Sequence, residues 1–494
     1  VMTCLEALNP FNILNKKETH PMIAVWFRAD LRTTDNPALT RAYEWSERLQ
    51  LPIVAVYISS SRQWEQHGMG SARVDFEFRS VAALSSSLSA LNIPLKLLDV
   101  PLYADIPAEL LMWCAHHGVT HLLANRQYEW NEVERDRSCH RLLRKNTIVM
   151  EWFHDQCLVA PDHLKTQAHG YYTVFTPYKK KLIKHLIDQP IGLLSTLTPA
   201  KIHSHVSVDP MPEQFGAYAP MPHLHDDWPA GEQAALNRLF DFCNGDMARY
   251  SEQRDFPSQN ATSRLAAYLA VGALSVRQCW LAAVQAEGGQ TVHGGLEAWQ
   301  NELIWRDFYR HVMVGYPRIS RNQPFQSKTQ GIQWRNDRNE FKAWCEGQTG
   351  FPIVDAAMRC LNATGWMHNR LRMIVAMFLV KDLLIDWRWG EHYFASQLID
   401  FDLASNNGGW QWSASTGTDA VPYFRIFNPV LQSQKFDPEG HFIRQWVLEL
   451  RHCAAPQIHQ PLPVDAPDYP PPIVNHKRAR ELTLAAFKAI QSDG

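Results

Sequence analysis

Residues 296–312 carry side chains that could bind a ligand along one surface of a helix. In LEAWQNELIWRDFYRHV, aromatic and charged side chains recur at helical spacing: Trp299, Glu302, Trp305, Arg306 and Tyr309. Aromatic residues at this spacing often form only a core. Here, however, a carboxylate lies between two indoles, and burying it is costly unless it accepts hydrogen bonds. The pattern therefore favours a site for a planar, hydrogen-bonding ligand such as a nucleic-acid base.

Two later segments carry similar chemistry. In TGWMHNRLRMIVAMFLVKDLLIDW, Trp366, Asn369 and Met373 fall on one helical stripe, with two arginines beside it. The C-terminal half of that helix reads as core, whereas the polar residues at its start need partners. In the segment 400–412, DFDLASNNGGWQW, two adjacent glycines would let the backbone approach a ligand.

Candidate anion and metal groups are less specific. Thr262-Ser263-Arg264 is predicted to open a helix and to offer a phosphate site there, although an ordinary N-cap would have the same residues. Several arginines could form a local basic surface: Arg254, Arg310, Arg321, Arg370 and Arg425. The His223–Asp227 cluster lies in a proline-rich stretch and reads as a solvated turn, so we assign no metal.

Composition limits the class of protein. The 494 residues are 46% hydrophobic and 20% charged, with a net charge of -2, which excludes a disordered or strongly basic chain. Nine cysteines without a CxxC pair favour reduced thiols and a cytoplasmic location. The longest apolar run, 373–380, is too short for a membrane span. Nine of the 18 tryptophans lie between Trp299 and Trp412.

The elements that must position these groups divide the chain into two domains. Five β-rich runs, at 22–27, 52–58, 94–100, 119–125 and 147–153, alternate with helical stretches, which predicts a doubly wound parallel sheet. We expect residues 1–21 to be a tail, 22–155 an α/β domain, 156–230 a proline-containing connector and 231–494 an all-α domain. The helices predicted in the last domain include 275–286, with a Ser275/Gln278 capping box, and 369–384. The sheet domain lacks GxGxxG and GxxxxGK[ST], so it has no common phosphate loop.

Long sequence blocks resemble the DNA photolyase and cryptochrome family. They include WFRADLRTTDN, QYEWNE, YTVFTPYKK, RDFP, TSRL, ELIWRDFYRH, GFPIVDAAMRCLNATGWMHNRLRM, LVKDLLIDW and NNGGWQWSASTGTDAVPYFRIFNP. The resemblance runs from about Met22 to the C-terminal helix. Within the family the chain is most similar to bacterial class I photolyases that act on cyclobutane pyrimidine dimers.

The resemblance implies an α/β antenna domain and a helical domain that binds FAD. The positions that match FAD contacts are Tyr250, Thr262, Ser263, Arg264, Leu265, Trp299, Glu302, Arg306, Asn369, Arg372, Asp400, Asp402 and Asn406. Arg372 and Asp400 would pair beside the flavin, and Asn406 would face its reactive N5 edge. Trp410, Trp387 and Trp334 match an electron-hopping chain that runs outward from the flavin.

The resemblance also implies ultraviolet-damaged DNA as substrate. The dimer would flip into a cavity whose walls are Trp305 and Trp412. The bases would meet Glu302, Asn369, Arg370 and Met373, and phosphates would meet Arg254 and Arg425. Photoexcited reduced FAD would donate an electron, the ring would open, and the electron would return, with Glu302 stabilising the dimer radical anion. We expect a monomer that needs no protein partner.

For the antenna, His67, Asn131 and Glu132 match positions that hold 5,10-methenyltetrahydrofolate, and a deazaflavin is the second choice. Ser320 and Arg321 depart from the cysteine and lysine expected in the closest relatives. Arginine keeps the charge but not the geometry.

Three other functions fit these residues less well. A signalling cryptochrome is disfavoured by Asn406 and by the cavity formed by Glu302, Trp305 and Trp412. Repair of the six-four photoproduct would require histidines at Asn369 and Met373. A nucleotide-dependent enzyme would require the missing phosphate loop.

Overall fold

The structure is a computed structural model that describes residues 20–287 and 294–492. Residues 1–19 of the predicted N-terminal tail lie outside the described residues.

One parallel sheet organises the N-terminal domain. Its strands are β1 (Met22–Phe27), β2 (Ile53–Ser59), β3 (Leu95–Asp99), β4 (Val119–Asn125) and β5 (Val149–Phe153). They lie in the order β3-β2-β1-β4-β5, and every pairing is parallel. The predicted strands are confirmed, each within two residues of its predicted bounds.

The central strand shows why its sequence is apolar throughout. Ile23, Val25 and Phe27 pack into one core, and the alternate residues pack into a second core on the opposite face. Helices on both faces cover the sheet: α1 (Pro37–Leu49), α2 (Ser61–Gln66), α3 (Ser71–Ala90), α4 (Ile106–His117) and α5 (Trp130–Lys145). The predicted doubly wound architecture is therefore confirmed.

The connector contains a helix that the prediction left out. Helix α6 (Phe175–Asp188) spans 14 residues, and Pro177 lies in its first turn, where a missing N–H removes no helical hydrogen bond. The proline-rich part from 211 to 229 forms only a single 3₁₀ turn, Pro222–Leu224.

The described residues after 230 contain helices and no strand. The helices are α7 (Glu232–Asn244), α8 (Tyr250–Gln253), α9 (Ala266–Val271), α10 (Val276–Glu287), α11 (Gly295–Gly315), α12 (Arg338–Glu346), α13 (Pro352–Thr364), α14 (Asn369–Met377), α15 (Trp387–Gln397), α16 (Leu403–Ser413), α17 (Pro429–Phe436), α18 (His441–Trp446), α19 (Ala455–Ile458) and α20 (His476–Ser492). The predicted capping box before α10 is confirmed, since Ser275 Oγ accepts from Gln278 N and Gln278 Oε1 accepts from Ser275 N.

The predicted helix over 369–384 is wrong in its second half. Helix α14 ends at Met377, a π-helical turn covers Phe378–Asp382, and Leu384 adopts a left-handed conformation with φ of 50°. In this turn Lys381 is fully buried, and its Nζ donates to Ser415 Oγ at 2.9 Å. The α-helix thus ends where a buried amine requires a hydrogen-bond partner.

A continuous core joins the domains. One cluster of buried side chains includes residues of β1, α3, α6 and α11, so the connector and the helical domain share a core with the sheet. A second cluster lies within the helical domain around α13 and α14. No described helix combines the length and the apolarity that crossing a membrane requires.

Candidate functional site

Glu302 of α11 is paired with Arg254, which follows α8. Arg254 Nη1 donates to Glu302 Oε1. The two side chains are 33% and 37% exposed for Arg254 and Glu302, so the pair borders open space rather than a sealed core. Desolvation by the surrounding protein raises the pKa of Glu302, and the Arg254 guanidinium opposes that rise. This carboxylate is therefore accessible to a ligand that offers hydrogen-bond donors.

A second ion pair lies beside the first along the chain. Arg370 of α14 donates from Nη2 to Asp255 Oδ1 at 2.8 Å, and its Nη1 lies 3.7 Å from Met373 Sδ. Because Arg254 and Asp255 are consecutive, the segment after α8 links α11 to α14 through two opposite charges. The structure thus brings four of the predicted substrate residues into one neighbourhood.

The other predicted substrate residues are open to solvent in varying degree. Trp305 and Trp412 are half-buried, while Asn369 and Arg425 are exposed. Trp305 stacks on Phe175 of α6, with ring centroids 3.7 Å apart and an interplanar angle of 1°. Exposure of this kind is what contact with an extruded base requires.

The predicted pairing of Arg372 with Asp400 is present in the structure. Arg372 Nη2 donates to Asp400 Oδ2 at 2.8 Å, and Arg372 Nε donates to the Met367 carbonyl at 2.7 Å. Asp400 is buried, and its Oδ1 has no hydrogen-bond partner in the described structure. A buried acceptor without a partner is costly and indicates room for a ligand's donor.

Asp402 caps the helix that follows. Its carboxylate accepts from Ser405 N at 2.9 Å, at the start of α16, and from Arg310. Burial favours the protonated form, but Arg310 and Arg306 prevail and hold the pKa of Asp402 below its usual value. Arg306 itself donates to the carbonyls of Gln156 and, at 3.2 Å, Leu269.

Asn406 lies one turn into α16. Its Nδ2 donates to the Glu391 carbonyl at 3.0 Å, which fixes the direction of the amide. The neighbouring Asn407 Nδ2 donates to the Glu391 carboxylate at 2.8 Å. Burial raises the pKa of Glu391 to about 7, with the Asn407 hydrogen bond acting in the opposite direction. Glu391 therefore contacts both asparagines: its main-chain carbonyl holds Asn406, the residue predicted to face the flavin, and its buried carboxyl group holds Asn407.

The helix predicted to open at Thr262 begins four residues later. Helix α9 starts at Ala266 and has only six residues, and Leu265 is its N-cap. Arg264 adopts a left-handed φ of 49° and places its guanidinium carbon 4.5 Å from the Trp366 ring centroid. Thr262 and Ser263 are half-buried loop residues, and a phosphate site formed by them stays a prediction.

Three other predicted FAD residues are buried. Tyr250 and Trp299 both pack on Phe242, with ring centroids 5.7 Å and 5.1 Å away. Leu265 is also buried, at 1% exposure.

Gly390 and Gly408 let neighbouring elements pack closely. A Cβ on Gly408 would lie 2.3 Å from the Tyr309 ring, so this glycine lets α16 approach α11. A Cβ on Gly409 would meet no atom within 4 Å, so the approach of a ligand stays a prediction for that residue. A Cβ on Gly390 would lie 2.1 Å from Trp410, so the buried indole rests directly on α15. Within the part of the chain that the structure describes, Trp410 Nε1 has no hydrogen-bond partner.

Trp334 is the most exposed of the three tryptophans in the predicted electron-hopping chain. Trp387 opens α15, one turn before Gly390, and is 1% exposed, while Trp410 is 2% exposed. Trp334 is half-buried and meets Phe487 of α20 edge to face, with centroids 6.4 Å apart. Trp410 and Trp387 are thus equally buried, and the order of the chain stays a prediction.

Sequence reasoning missed several residues that build this site. Asp255, Glu391 and Phe175 had no assigned role, although each adjoins a predicted residue in the structure. Asp255 had a usable signal, because an acidic residue next to Arg254 invites a second pair. Phe175 had none, since its partner is 130 positions away.

Two family models match the chain. One, described as the FAD binding domain of DNA photolyase, matches residues 299–489, and one described as DNA photolyase matches residues 23–196. Deoxyribodipyrimidine photo-lyase of Escherichia coli (strain K12) is 46% identical, covering 94% of this chain and 98% of its own length. The enzyme of that name from Vibrio cholerae is 43% identical, covering 94% and 99%. The chain belongs to the DNA photolyase and cryptochrome family.

Solved structures of the family share the fold. A bacterial class III photolyase from Agrobacterium tumefaciens has a TM-score of 0.84 at 36% identity, over 97% of this chain and 99% of that one. A Synechocystis cryptochrome has a TM-score of 0.83 at 30% identity, over 95% and 100%. Photolyases and cryptochromes therefore share this architecture, and only the site residues can separate their functions.

The helical domain of this photolyase-family chain fits a flavin nucleotide. Among the described residues, buried polar atoms without partners occur on two matched FAD positions, Arg264 Nε and Asp400 Oδ1, and on Asn301 Oδ1 next to Glu302. Donors and acceptors are both represented, as the heterocycle and pyrophosphate of FAD require. The residues present therefore suit the cofactor that the matching domain is named for.

The predicted antenna residues meet between α2 and α5. Asn131 Nδ2 lies 3.2 Å from His67 Nε2. Arg321 lies over Trp130, 4.8 Å from the ring centroid, and Ser320 Oγ accepts from Trp130 N at 3.2 Å. The two residues that depart from the family pattern thus contact the same helix that carries Asn131 and Glu132.

Glu132 lies in an acidic setting. Desolvation raises its pKa, and Arg135 opposes the rise. Desolvation and the charge of Glu132 also raise the pKa of Glu129 to about 7. A carboxyl group with a pKa near 7, such as Glu129, can both donate to and accept from a heterocycle.

Arg28 bridges the carboxyl ends of two strands. The chain reverses its strand order between β1 and β4, which is where doubly wound sheets usually bind ligands. Arg28, directly after β1, reaches across to the Asn125 carbonyl at the end of β4 and donates from Nη1 to both oxygens of Asp136 at 2.9 Å. Arg28 also lies 4.5 Å from the Trp26 ring centroid. Protein contacts therefore occupy Arg28 at this switch point.

Over residues 20–287 and 294–492, His, Cys, Asp and Glu side chains form no group of three that could hold a metal ion.

Proposed function

We propose that the protein is a light-dependent DNA repair enzyme that splits cyclobutane pyrimidine dimers in ultraviolet-damaged DNA. The observation that carries this proposal is the open Arg254–Glu302 pair beside Trp305. It offers a phosphate-binding cation, a carboxylate with a raised pKa and an indole in one place. These groups match the charges and flat surfaces of a flipped dinucleotide.

Each group has a distinct task in this proposal. Trp305 and Trp412 present flat surfaces to the bases, and Glu302 accepts hydrogen bonds from their edges. Arg254, Arg370 and Arg425 neutralise phosphates around the lesion. The enzyme would act on DNA in the bacterial cytoplasm, where the chromosome lies. One copy of the chain would suffice for repair.

The FAD-binding residues would hold the cofactor behind that cavity. Arg372 and Asp400 would fix the flavin ring, Asn406 would hold an amide at its N5 edge, and Arg306 and Asp402 would hold its other polar atoms. Reduced FAD, when bound, supplies the light-driven electron that opens the dimer and takes the electron back afterwards.

The test is the loss of thymine dimer from a defined oligonucleotide duplex. Reduced, FAD-loaded protein is incubated with it under blue light and in darkness. Loss of dimer in light alone supports the proposal. If the flavin is bound and reduced but the dimer persists in light, repair is excluded and a signalling cryptochrome becomes the leading function.

We propose that Trp410, Trp387 and Trp334 carry electrons inward to reduce oxidised flavin. Two observations support this path: Trp410 rests on the helix that begins with Trp387, and Trp334 is the most exposed of the three. In Trp387→Phe, photoreduction should fall at least tenfold while repair by chemically reduced protein is retained. Trp389→Phe is the matched control, because Trp389 lies on the same helix but packs on Phe341. Equal photoreduction in wild type, Trp387→Phe and Trp389→Phe would show that electrons do not follow this path.

We propose 5,10-methenyltetrahydrofolate as the antenna, held by His67, Asn131 and Glu132, with a deazaflavin second. The contact between His67 and Asn131, with nitrogens 3.2 Å apart, supports a site between α2 and α5. Glu132→Ala should lose folate absorbance after reconstitution while retaining FAD. Undiminished folate binding by this variant would place the antenna elsewhere.

A further inference from the structure

Phe175 and Trp305 form an unusually close aromatic pair across the connector. Their ring centroids are 3.7 Å apart and their planes are parallel within 1°. Phe175 is the first residue of α6, whereas Trp305 lies in the middle of α11. The phenyl ring therefore covers one face of the half-buried indole, and the rest of the indole remains available.

The main chain around Phe175 is held independently of the stack. Phe175 N donates to Asp419 Oδ2 at 2.9 Å, and Thr418 Oγ1 donates to the Thr173 carbonyl at 2.5 Å. These two hydrogen bonds connect the start of α6 to the loop that follows α16. That helix carries Trp412 in its last turn. One short segment of the connector thus touches the elements that carry both proposed aromatic walls.

The same segment is fixed along α11. Tyr172 N donates to His311 Nε2 at 2.9 Å, and the other ring nitrogen of His311 lies 3.2 Å from the Pro161 carbonyl. Burial lowers the pKa of His311 to about 4, so the neutral ring can accept from Tyr172 while donating to Pro161. Phe308 adds an edge-to-face contact with Phe175 at 5.8 Å.

We propose that Phe175 is a positioning residue for dimer recognition: it holds the Trp305 indole in place before the substrate arrives. The inference deepens the proposed function and rests on it. A half-exposed tryptophan without this support would sample several rotamers, and a ligand would have to restrict them on binding. Stacking on an anchored ring removes that cost in advance. Phe175 itself needs no contact with the DNA.

The first experiment compares Phe175→Ala, Phe175→Leu and Phe175→Tyr in the FAD-loaded protein. The dissociation constant is measured in darkness for a duplex with one thymine dimer and for the same duplex undamaged. The loss of an aromatic pair should weaken dimer binding about fivefold in the Ala and Leu variants, with undamaged DNA unaffected. The Tyr variant, which keeps a flat ring, should bind like wild type. Val174→Ala, at the exposed preceding residue, is the matched control.

The repair yield per photon at saturating protein separates positioning from chemistry. It should be unchanged in all of these variants, because bound substrate meets the same reacting groups. Melting temperature and flavin content report folding, and the Leu variant keeps most of the buried volume if the Ala variant is unstable. Wild-type discrimination between damaged and undamaged DNA in both the Ala and the Leu variants would overturn the inference.

A double-mutant cycle tests whether Phe175 acts through Trp305. Trp305→Ala and the double variant with Phe175→Ala should bind the dimer equally, since no indole remains to be held. Additive losses would overturn the inference. If wild-type protein repairs dimers but the cycle is additive, only this inference fails. If wild-type protein neither repairs nor prefers dimer DNA, the proposed function fails first.

Discussion

Two arginine–carboxylate pairs in this molecule have opposite surroundings. Arg28 and Asp136 close the crevice at the end of the sheet, with side chains 6% and 12% exposed. Arg254 and Glu302, in the helical domain, are 33% and 37% exposed. The same chemical pair thus fills a cleft in one domain and lines a cleft in the other.

The difference shows that one kind of ion pair can have two roles. At the strand ends, Asp136 accepts from Arg28 and also from Arg135 Nε at 2.9 Å, so both of its oxygens bind protein donors. Unsatisfied buried atoms do not separate the two regions, because among the described residues Arg28 Nε and Asp400 Oδ1 are both buried without partners. The contrast therefore lies in exposure: an enclosed pair stabilises the fold, whereas a pair open to solvent can contact a ligand.

The largest expected effect comes from breaking the closed pair. Asp136→Ala leaves Arg28 and Arg135 buried without their carboxylate, and should lower the free energy of unfolding by about 3–5 kcal/mol. Chemical denaturation measures this. Repair by the protein that stays folded should be normal, since the pair contacts no ligand in our proposal.

Glu134→Ala on the same helix is the control for that change. Its pair with Arg137 is exposed, at 43% and 63%, so the loss should be below about 1 kcal/mol. A stable Asp136→Ala protein that had lost its antenna would mean that the crevice is a ligand site after all.

A smaller effect should come from Glu391, which is sealed like Asp136 but accepts its hydrogen bond from the Asn407 amide. Burial raises its pKa from 4.5 to about 7, so the folded state binds this proton more tightly than the unfolded state does. The protonated Glu391 therefore stabilises the folded state fully below pH 4.5, and this contribution is lost as the pH rises through about 7. The shift corresponds to about 3 kcal/mol.

Glu391→Gln should remove that pH dependence, because an amide keeps the acceptor for Asn407 without a titrating proton. The unfolding free energies of wild type and variant are measured from pH 4.5 to 8. As the pH rises, the wild-type value should fall relative to that of the variant. Parallel curves would show that Glu391 does not titrate in this range. Glu134→Gln should follow the wild-type curve.

Local pattern predicted more of the fold than of the site. The strands and the capping box at Ser275 followed from nearby residues and were right within two positions. The predicted start of α9 was four residues too early, and Arg264 in that stretch has a left-handed backbone and contacts Trp366, about a hundred residues away. Likewise, no residue near Phe175 in the sequence indicates that it contacts Trp305. Site residues whose conformation depends on distant partners cannot be derived from spacing along the chain, and a family resemblance supplies their positions without their contacts.

The smallest expected effect tests the open pair. Arg254→Ala should change stability by less than about 1 kcal/mol, because both side chains are about one-third exposed and water screens the charges. Affinity for dimer DNA should nevertheless fall about fivefold, and the dependence of log affinity on log salt should become shallower by about 1. Titrations at several salt concentrations measure both. Arg137→Ala, an exposed arginine of the antenna domain, should leave the slope unchanged. An Arg254→Ala protein that lost several kcal/mol of stability but kept its salt slope would show that this pair, too, is structural, and the contrast between the two domains would disappear.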